Sequence, residues 1–478
     1  SFTNKVAGSY VEAVRIVGGN VGIGTAAPST IAGNAWTDID LQIKGAFGAS
    51  LAIVGDTQAA LILSDEDASS NEKVWSLMSI GGVLRIDQFN DNESLKGTRL
   101  KLDDNSRISL SNNDSGTDNT VFGFLAGASL ASGSNDNVFI GDYAGTAMTT
   151  GDYNVAIGSG AFDAAAGSHA SNGELSNIAI GYNSMGAVNA GSHSGARAYG
   201  NIAIGQEALL GGSFGSSDLN LDYNIAIGVD ALNSTGSAAH NSTIAIGTSA
   251  GTAINHADSS GSVLIGHYAG AALTEGIGNV AIGAEALDAE DDGDYNVAVG
   301  YQALTAQTGT SGTVGNTAVG YQSGAAITSG TKNVAIGKGA LSTSTTALKV
   351  IAIGDSAMGA CATGNTHEGT IAIGVDSQQN LTTGGGNIAI GVDSLKQNTT
   401  GARNVVVGSY AFDQSSGSGA VDSSDNVAIG NSCMGGDFAD AASNNNVAVG
   451  ASALSGTLNA ATYNVAVGNV ALSGLTEG

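Results

Sequence analysis

The sequence predicts an all-β protein: a parallel β-solenoid, or β-roll, of about nineteen coils, preceded by a small antiparallel β domain. A phrase close to Asn-Val-Ala-Ile-Gly recurs nineteen times between residues 119 and 468, and such self-similarity is typical of stacked repeat architectures. Glycine accounts for 73 of 478 residues without the triplet period of collagen, and hydrophobic residues account for 42%. This composition indicates a folded chain whose apolar surface is buried among small side chains.

The N-terminal quarter divides into a predicted β connector module at 1–46 and a small antiparallel β domain at 47–118. Short runs of alternating apolar and polar residues, such as ALILSD, GGVLRID and TRLKLDD, predict the strands of this domain. Trp36 and Trp75 lie in this quarter, and we expect each to pack in a core, with sugar binding as the alternative. The composition then changes, because residues 119–478 hold only 6 of the 15 Lys and Arg residues.

Residues 119–478 form the predicted solenoid shaft, in which each copy of the phrase ends at a glycine. Seven of the eighteen intervals between these glycines have a length of seventeen, none is shorter, and the longest is twenty-four. Seventeen is therefore the minimal length of a coil, and the excess in longer intervals is inserted loop. One such coil is too small to bury its own apolar face, so neighbouring coils must stack. Nineteen coils at the strand spacing of ~4.8 Å give a rod of roughly 90 Å.

The strand of each coil carries two columns of β-branched residues. The position three before the glycine is Val or Ile in seventeen copies, and the position just before it, as at Ile157 and Ile282, is Ile or Val in eighteen. Side chains alternate along a strand, so both columns are predicted to point into the core. The residue between them, Ala in fifteen copies, then points away, and a column of Ala instead of polar residues indicates a covered face. We expect other copies of the chain to cover it in a packed or intertwined homotrimer.

Glycine and asparagine flank this strand. Gly158 and Gly283 end their copies, and because only Gly takes positive φ freely, a tight turn is predicted there. The small and apolar residues that follow predict a second short strand. Four residues before the glycine, Asn stands in fifteen copies, as at Asn154 and Asn279. Stacked Asn side chains can hydrogen-bond as a ladder, which is our prediction, and a binding role is the alternative.

The NVAIG phrase, with a small residue three places after its glycine, resembles the head repeat of trimeric autotransporter adhesins over residues 119–478. That resemblance implies a left-handed parallel β-roll wound as a homotrimer. The segments at 18–45, 68–86 and 119–158 are similar to modules of phage tail fibres, notably those of marine phages. This second resemblance implies a virion appendage whose partners are other tail proteins and a glycan or protein on the host cell surface.

The charge and motif content exclude several classes of function. A net charge of −27 repels nucleic acid and anionic lipid, and no apolar run of about 18 residues predicts membrane insertion. Two cysteines, Cys361 and Cys433, without CxxC or zinc spacing indicate neither a disulfide framework nor a structural metal. The six histidines form no HxH or HExxH motif and there is no P-loop. We therefore expect no cofactor, no metal and no catalysis.

One acidic stretch and three long loops are the candidate sites. LDAEDDGDYN carries Asp288, Glu290, Asp291, Asp292 and Asp294. A solvated acidic turn is the simple interpretation and Ca²⁺ capture the alternative.

Three consecutive long intervals follow Gly158, Gly181 and Gly205, with lengths of twenty-three, twenty-four and twenty-three. They predict stacked loops at one corner, where solenoids often bind. The residues of this candidate binding patch are His169, His193, Arg197, Tyr199 and Phe214. Surface decoration without binding is the alternative interpretation.

Together these features predict a non-catalytic, homotrimeric fibre of a phage tail or similar appendage, located on the virion and serving as shaft and host-recognition adhesin. One alternative is a trimeric adhesin of a bacterial surface, which would be extracellular. A further alternative is a polysaccharide-degrading tailspike, which would need a pair of carboxylates that break the repeat pattern.

Overall fold

A computed structural model describes the solenoid from residue 118 to residue 476, together with eight strands that precede it. Within 118–476 the description has ten gaps, which are 132, 166–173, 190–196, 213–219, 236–239, 257–259, 309–311, 362–366, 414–422 and 439–440. Statements about the structure concern the described residues.

The N-terminal strands form two antiparallel sheets, as the alternating runs predict. The first sheet has three strands and the second five, and in both each strand pairs with the next one along the chain. Trp36 and the side chain of Trp75 lie outside the described part. The strands are β1 (Phe2–Val6), β2 (Ser9–Val17), β3 (Asn20–Ile23), β4 (Gln58–Ser64), β5 (Val74–Ile80), β6 (Val83–Phe89), β7 (Leu95–Leu102) and β8 (Ile108–Ser109).

The nineteen copies of the repeat form nineteen three-residue strands of one parallel sheet. Each strand pairs in register with the strand of the next coil, so that Val280, Ala281 and Ile282 lie opposite Val297, Ala298 and Val299. The prediction of a parallel β-solenoid is therefore confirmed. The strands are β9 (Thr120–Phe122), β10 (Val138–Ile140), β11 (Val155–Ile157), β13 (Ile178–Ile180), β15 (Ile202–Ile204), β17 (Ile225–Ile227), β19 (Ile244–Ile246), β20 (Val263–Ile265), β21 (Val280–Ile282), β23 (Val297–Val299), β25 (Thr317–Val319), β26 (Val334–Ile336), β27 (Ile351–Ile353), β28 (Ile371–Ile373), β29 (Ile388–Ile390), β30 (Val405–Val407), β31 (Val427–Ile429), β32 (Val447–Val449) and β33 (Val465–Val467).

A second set of short parallel strands precedes some of these. Four of them form one ladder beside the long loops, and two form another. They are β12 (Glu174–Leu175), β14 (Arg197–Tyr199), β16 (Asn220–Asp222), β18 (His240–Asn241), β22 (Gly293–Asp294) and β24 (Gly312–Thr313).

The predicted orientation of the strand faces was wrong. Ala281 and Ala335, expected against a partner chain, are buried inside the coil, whereas Ile282 on the other face is 37% exposed. The alternation was correct but its phase was inverted. The Ala column shares the interior of the coil with other buried side chains, such as Leu287, and a larger inward residue of the same column, Phe139, lies beside Gly145. Because side chains alternate along a strand, the two β-branched columns lie outside.

The predicted second strand after the glycine was also wrong. The residues that follow Gly283 form turns, and Glu285 and Leu287 take left-handed φ values of 56° and 54°. Their backbone N–H groups point to opposite neighbours, because Glu285 N donates to His267 O at 2.9 Å in the preceding coil and Leu287 N to Ala303 O at 3.0 Å in the next. Every second residue of this segment has a left-handed conformation, and its N–H group bonds to a neighbouring coil. Hydrogen bonds between coils thus continue beyond the β-strand although this segment is not a strand.

The glycine that ends each phrase is required for two reasons. Gly158 and Gly283 have φ values of +131° and +138°, as the predicted turn requires and as L side chains rarely allow. A Cβ at Gly283 would also overlap the carbonyl group of Gly300 in the next coil. Stacking at strand spacing therefore depends on the absence of a side chain in this column.

The predicted asparagine ladder is present inside the solenoid. Asn279 Oδ1 accepts from Asn296 N at 2.9 Å and from Asn296 Nδ2 at 3.2 Å, while Asn279 Nδ2 donates at 2.8 Å to Gly293 O, three residues before Asn296. Asn154 makes the same contact with Asn137, at 3.1 Å from Nδ2 to Oδ1. Asn154 and Asn279 are fully buried, so each amide links neighbouring coils through hydrogen bonds shielded from water.

Candidate receptor-binding corner and outer stripe

The inserted residues of the long coils enter at one place, which we call the corner. It extends from the seventh residue after one repeat glycine to the fifth residue before the next. The gaps at 166–173, 190–196 and 213–219 begin eight, nine and eight residues after their repeat glycines. The chain then returns on β12, β14 and β16, which are neighbours in one parallel ladder. Three successive loops therefore rejoin the solenoid at strand spacing.

Arg197 lies at the base of these loops and is paired with a carboxylate of the next coil. Its Nε and Nη2 donate to Asp222 Oδ2 at 2.8 and 2.6 Å. The side chain of Arg197 is 42% exposed and that of Asp222 only 5%, so the guanidinium covers a buried carboxylate. The hydrogen bond to Asp222 raises the pKa of Arg197. A guanidinium engaged in this way links two coils and still presents N–H donors to a ligand.

Two tyrosines extend this cluster. The rings of Tyr199 and Tyr223 meet edge to face at 5.3 Å, and the guanidinium carbon of Arg197 lies 6.0 Å from the centre of the Tyr199 ring. Arg197 is also the only Lys or Arg between residues 108 and 331 of the sequence. An arginine beside aromatic rings can bind both the polar groups and the apolar face of a ligand.

The structure brings together two of the five predicted binding residues, Arg197 and Tyr199. The other three, His169, His193 and Phe214, lie outside the described residues. Sequence reasoning missed Asp222 and Tyr223. The ladder places Asp222 opposite Tyr199 on the next coil, but the diagonal contact of Arg197 with Asp222 does not recur along the repeat, so the sequence carries no signal for it.

A buried histidine lies on the last strand of the same ladder. His240 is 1% exposed, and its Nε2 lies 3.2 Å from Thr235 O. Burial lowers the pKa of His240 to about 4, against the smaller opposing effect of the Thr235 carbonyl. The ring is therefore neutral at physiological pH and donates to that carbonyl. His240 belongs to the packing beneath the corner, not to its surface.

The acidic turn differs from the solvated turn that the sequence predicts. Glu290 is fully buried, Asp292 is half-buried and Asp291 is exposed. Burial raises the pKa of Glu290 and of Asp292, the latter also because of the charge on Asp291.

A second candidate surface is the outer stripe, the two columns of side chains at three places and one place before each repeat glycine. Ile157 is half-buried, while Ile204, Ile282 and Ile336 are each 37% exposed. The columns continue through all nineteen strands and are Val or Ile in nearly every copy. At ~4.8 Å per coil and ~3.3 Å per residue, the stripe covers on the order of 900 Å². Typical monomers expose apolar patches of at most about 300–600 Å².

No family model matches this chain, and neither a curated protein nor a solved structure matches it significantly. In the part that the structure describes there is no helix, and accordingly none with the length and apolar character that crossing a membrane requires.

Proposed function

We propose that this chain is a subunit of a homotrimeric, non-catalytic fibre of a phage tail or similar appendage, acting as shaft and host-recognition adhesin. The outer stripe is the observation that carries the proposal. An apolar face of this extent is costly to expose to water, and its area is close to the roughly 800 Å² per partner of a standard protein interface.

Other copies of the same chain are the partners that fit this face best. The stripe repeats at the spacing of the coils, so a second solenoid offers rows of side chains with the same spacing. The stripe also contains no charged residue, and strongly acidic copies can therefore meet without burying charge. Closed rotational symmetry would bring the same face of every copy to one axis. The number three rests on the resemblance to trimeric autotransporter adhesins.

Assembly is tested by placing charge on the outer stripe. We expect the parent chain to sediment as a trimer and the Ile282→Glu, Ile336→Glu variant to remain folded but fail to assemble. Both side chains lie outside the coil and are partly exposed, so a single solenoid can solvate the carboxylates, whereas an apolar interface cannot. Analytical ultracentrifugation with circular dichroism measures both properties.

The control places two glutamates on the corner side, with a larger change in net charge than the stripe variant because one of them replaces a lysine. Ser329 and Lys332 are exposed there, so Ser329→Glu with Lys332→Glu should assemble like the parent. A folded monomeric parent would overturn the homotrimer. Normal assembly of the Ile282→Glu, Ile336→Glu variant would show that the outer stripe is not the interface.

The recognition part of the proposal rests on the three long loops at the corner. Loops that return on neighbouring strands ~4.8 Å apart can present varied side chains to one glycan or protein ligand, whereas the regular coils present mainly Ala, Ser, Asn and Gly. Shortening all three long coils to the minimal length of seventeen should preserve the rod and reduce adsorption to host cells.

Adsorption of trimmed and parent protein is compared at the same salt concentration. Undiminished adsorption by an intact trimmed trimer would refute receptor binding by these loops. Release of reducing ends from host glycan by the parent would instead identify a polysaccharide-degrading tailspike and overturn the non-catalytic assignment.

A further inference from the structure

The turn from Glu290 to Gly293 is closed by a buried carboxylate. Glu290 Oε1 accepts from Gly293 N at 2.8 Å and from Asp291 N at 3.1 Å. The same carboxylate has a second oxygen, Oε2, which is buried and has no hydrogen-bond partner among the residues that the structure describes. One oxygen of the carboxylate therefore closes the turn, and the described residues offer no hydrogen bond to the other.

Another coil closes the same turn without any charge. Asn398 stands at the equivalent position, seven residues after its repeat glycine, and is also fully buried. Its Oδ1 accepts from Gly401 N at 2.8 Å, and the residues between them are Thr399 and Thr400. A neutral amide is thus sufficient for the turn. The three consecutive carboxylates at 290–292 need a different explanation.

These carboxylates converge. One oxygen each from Glu290, Asp291 and Asp292 lies within 4.8 Å of the other two. Asp292 Oδ1 is a second buried oxygen to which no residue of the described part donates a hydrogen bond. The sequence supplies no Lys or Arg between residues 198 and 331. Burying carboxylate oxygens without a partner costs several kcal/mol unless a cation or a proton compensates them.

We propose that Glu290, Asp291 and Asp292 bind a divalent cation, with Ca²⁺ as the preferred ion. Ca²⁺ binds carboxylate oxygens at about 2.3–2.6 Å in flexible geometry, so oxygens up to about 5 Å apart can share one ion. Mg²⁺ requires shorter bonds of about 2.1 Å and an almost regular octahedron, which three carboxylates of consecutive residues in one turn satisfy poorly. Water molecules would complete the coordination.

The ion would also strengthen the stacking of two coils. Asp291 O accepts from Thr274 N at 2.8 Å and from Glu275 N at 3.0 Å in the preceding coil. Fixing the carboxylates of the turn therefore fixes the backbone group that holds this neighbour. The hydrogen bond that closes this turn is the same as that between Asn398 and Gly401. The carboxylates are therefore an addition to a turn whose backbone is that of another coil.

Calcium binding to the full-length chain is measured by isothermal titration with CaCl₂ at constant ionic strength. We expect one ion per chain, with a Kd of about 0.1–1 mM as in extracellular calcium modules. The Glu290→Gln, Asp292→Asn variant keeps an oxygen that can accept from Gly293 N, and its affinity should fall at least tenfold. Removing two exposed charges elsewhere, by Asp136→Asn with Asp355→Asn, should leave binding unchanged.

Thermal unfolding supplies a second measurement. At about 10 mM CaCl₂ the melting temperature of the parent and of the control should rise by about 2 °C, and that of the Glu290→Gln, Asp292→Asn variant should not. No binding by the parent at that concentration, or equal binding by parent and variant, would overturn the proposal. Equal Ca²⁺ affinity of the Glu290→Gln, Asp292→Asn variant and the Asp136→Asn, Asp355→Asn control would show that binding depends only on the overall charge of the chain. That result would also overturn the proposal.

Discussion

The wall and the corner of each coil obey different rules. In the wall, from the ladder Asn to the repeat Gly, all nineteen copies have the same length and pair in register. In the corner the copies differ in length by up to seven residues. Ion pairs, a buried histidine and a buried glutamate also occur there. A wall residue packs against its equivalents in the coils above and below, so a substitution there disturbs contacts with both neighbouring coils. An exposed corner residue borders solvent on one side, so the residues around it can adjust to a substitution.

The sharpest test of this difference is a methyl group added to the wall. We expect Gly283→Ala to destabilise the fold by more than about 4 kcal/mol, because φ is +138° there and the Cβ overlaps backbone atoms of Gly300. Urea unfolding at equal chain concentration measures the effect.

The matched corner variant is Gly315→Asn. Gly315 has a φ of +64° and open space around its Cβ, and Asn445 takes a φ of +60° at the equivalent position of another coil. Its free energy of unfolding should change by less than about 0.5 kcal/mol, since Asn tolerates the left-handed region. Similar losses at both glycines would contradict the distinction between wall and corner.

The buried His240 is a corner residue at which a change, here protonation, should also cost substantial stability. Burial lowers the folded-state pKa of His240 to about 4 from its ordinary value of 6.5. Above pH 6.5 the ring is neutral in both states, but as the pH falls from 6.5 to 4 the unfolded chain binds the proton first. The parent should therefore lose up to about 3 kcal/mol in that window, at about 1.4 kcal/mol per pKa unit.

The control is His240→Gln, which retains a donor for Thr235 O. Unfolding of both chains is measured between pH 7 and pH 4, and the difference isolates His240 from the carboxylates that titrate in the same range. A difference that does not change with pH would exclude the proposed role of this ring.

Loss of one ladder amide should cost less than a wall glycine. Asn333 Nδ2 donates to Asn316 Oδ1 at 3.0 Å and to Ala347 O at 2.7 Å, and Asn333 Oδ1 accepts from Val350 N at 3.0 Å. Asn333→Val leaves the buried Val350 N without its acceptor and removes one of the two hydrogen bonds at Asn316 Oδ1 and at Ala347 O, and we expect a loss of about 2 kcal/mol.

Thr370 provides a control in the same column. Its buried Oγ1 has no hydrogen-bond partner within the described ranges of the chain, so Thr370→Val should be neutral or slightly stabilising. If both substitutions change the urea midpoint equally, the ladder contributes nothing beyond the space that its side chains fill.

The smallest effect is expected for the ion pairs of the corner. Arg197→Gln leaves the buried Asp222 carboxylate without its cation and should cost about 1 kcal/mol, since the guanidinium itself is well exposed. Arg403→Gln breaks a pair with Asp425 in which both side chains are exposed, and no measurable change is expected. At both low and high salt, the urea midpoint should differ from that of the parent only for the Arg197→Gln variant. A larger effect of Arg403→Gln would contradict this order.

The sequence by itself determined the class of fold, the length of the coil and the position of the loops. The minimal repeat interval, the Asn column and the Gly column each express a contact between a residue and its own equivalent in the next coil. Such contacts repeat in the sequence with the period of the structure, and Asn279 and Gly283 were therefore interpretable without coordinates. For the candidate site, the repeat also located the corner that holds Arg197 and Tyr199.

Only the tertiary structure decided which face of the strand lies inside. Alternation gives two faces but not their direction, and the usual preference for large apolar residues in a core pointed to the wrong one. The middle residue of each strand, such as Ala281, points into the coil, so the more hydrophobic columns on either side of it, such as Ile282, form the outer stripe. Contacts made once, such as Arg197 with Asp222 or the burial of Glu290, also escaped the sequence, because a contact that does not repeat leaves no period to detect.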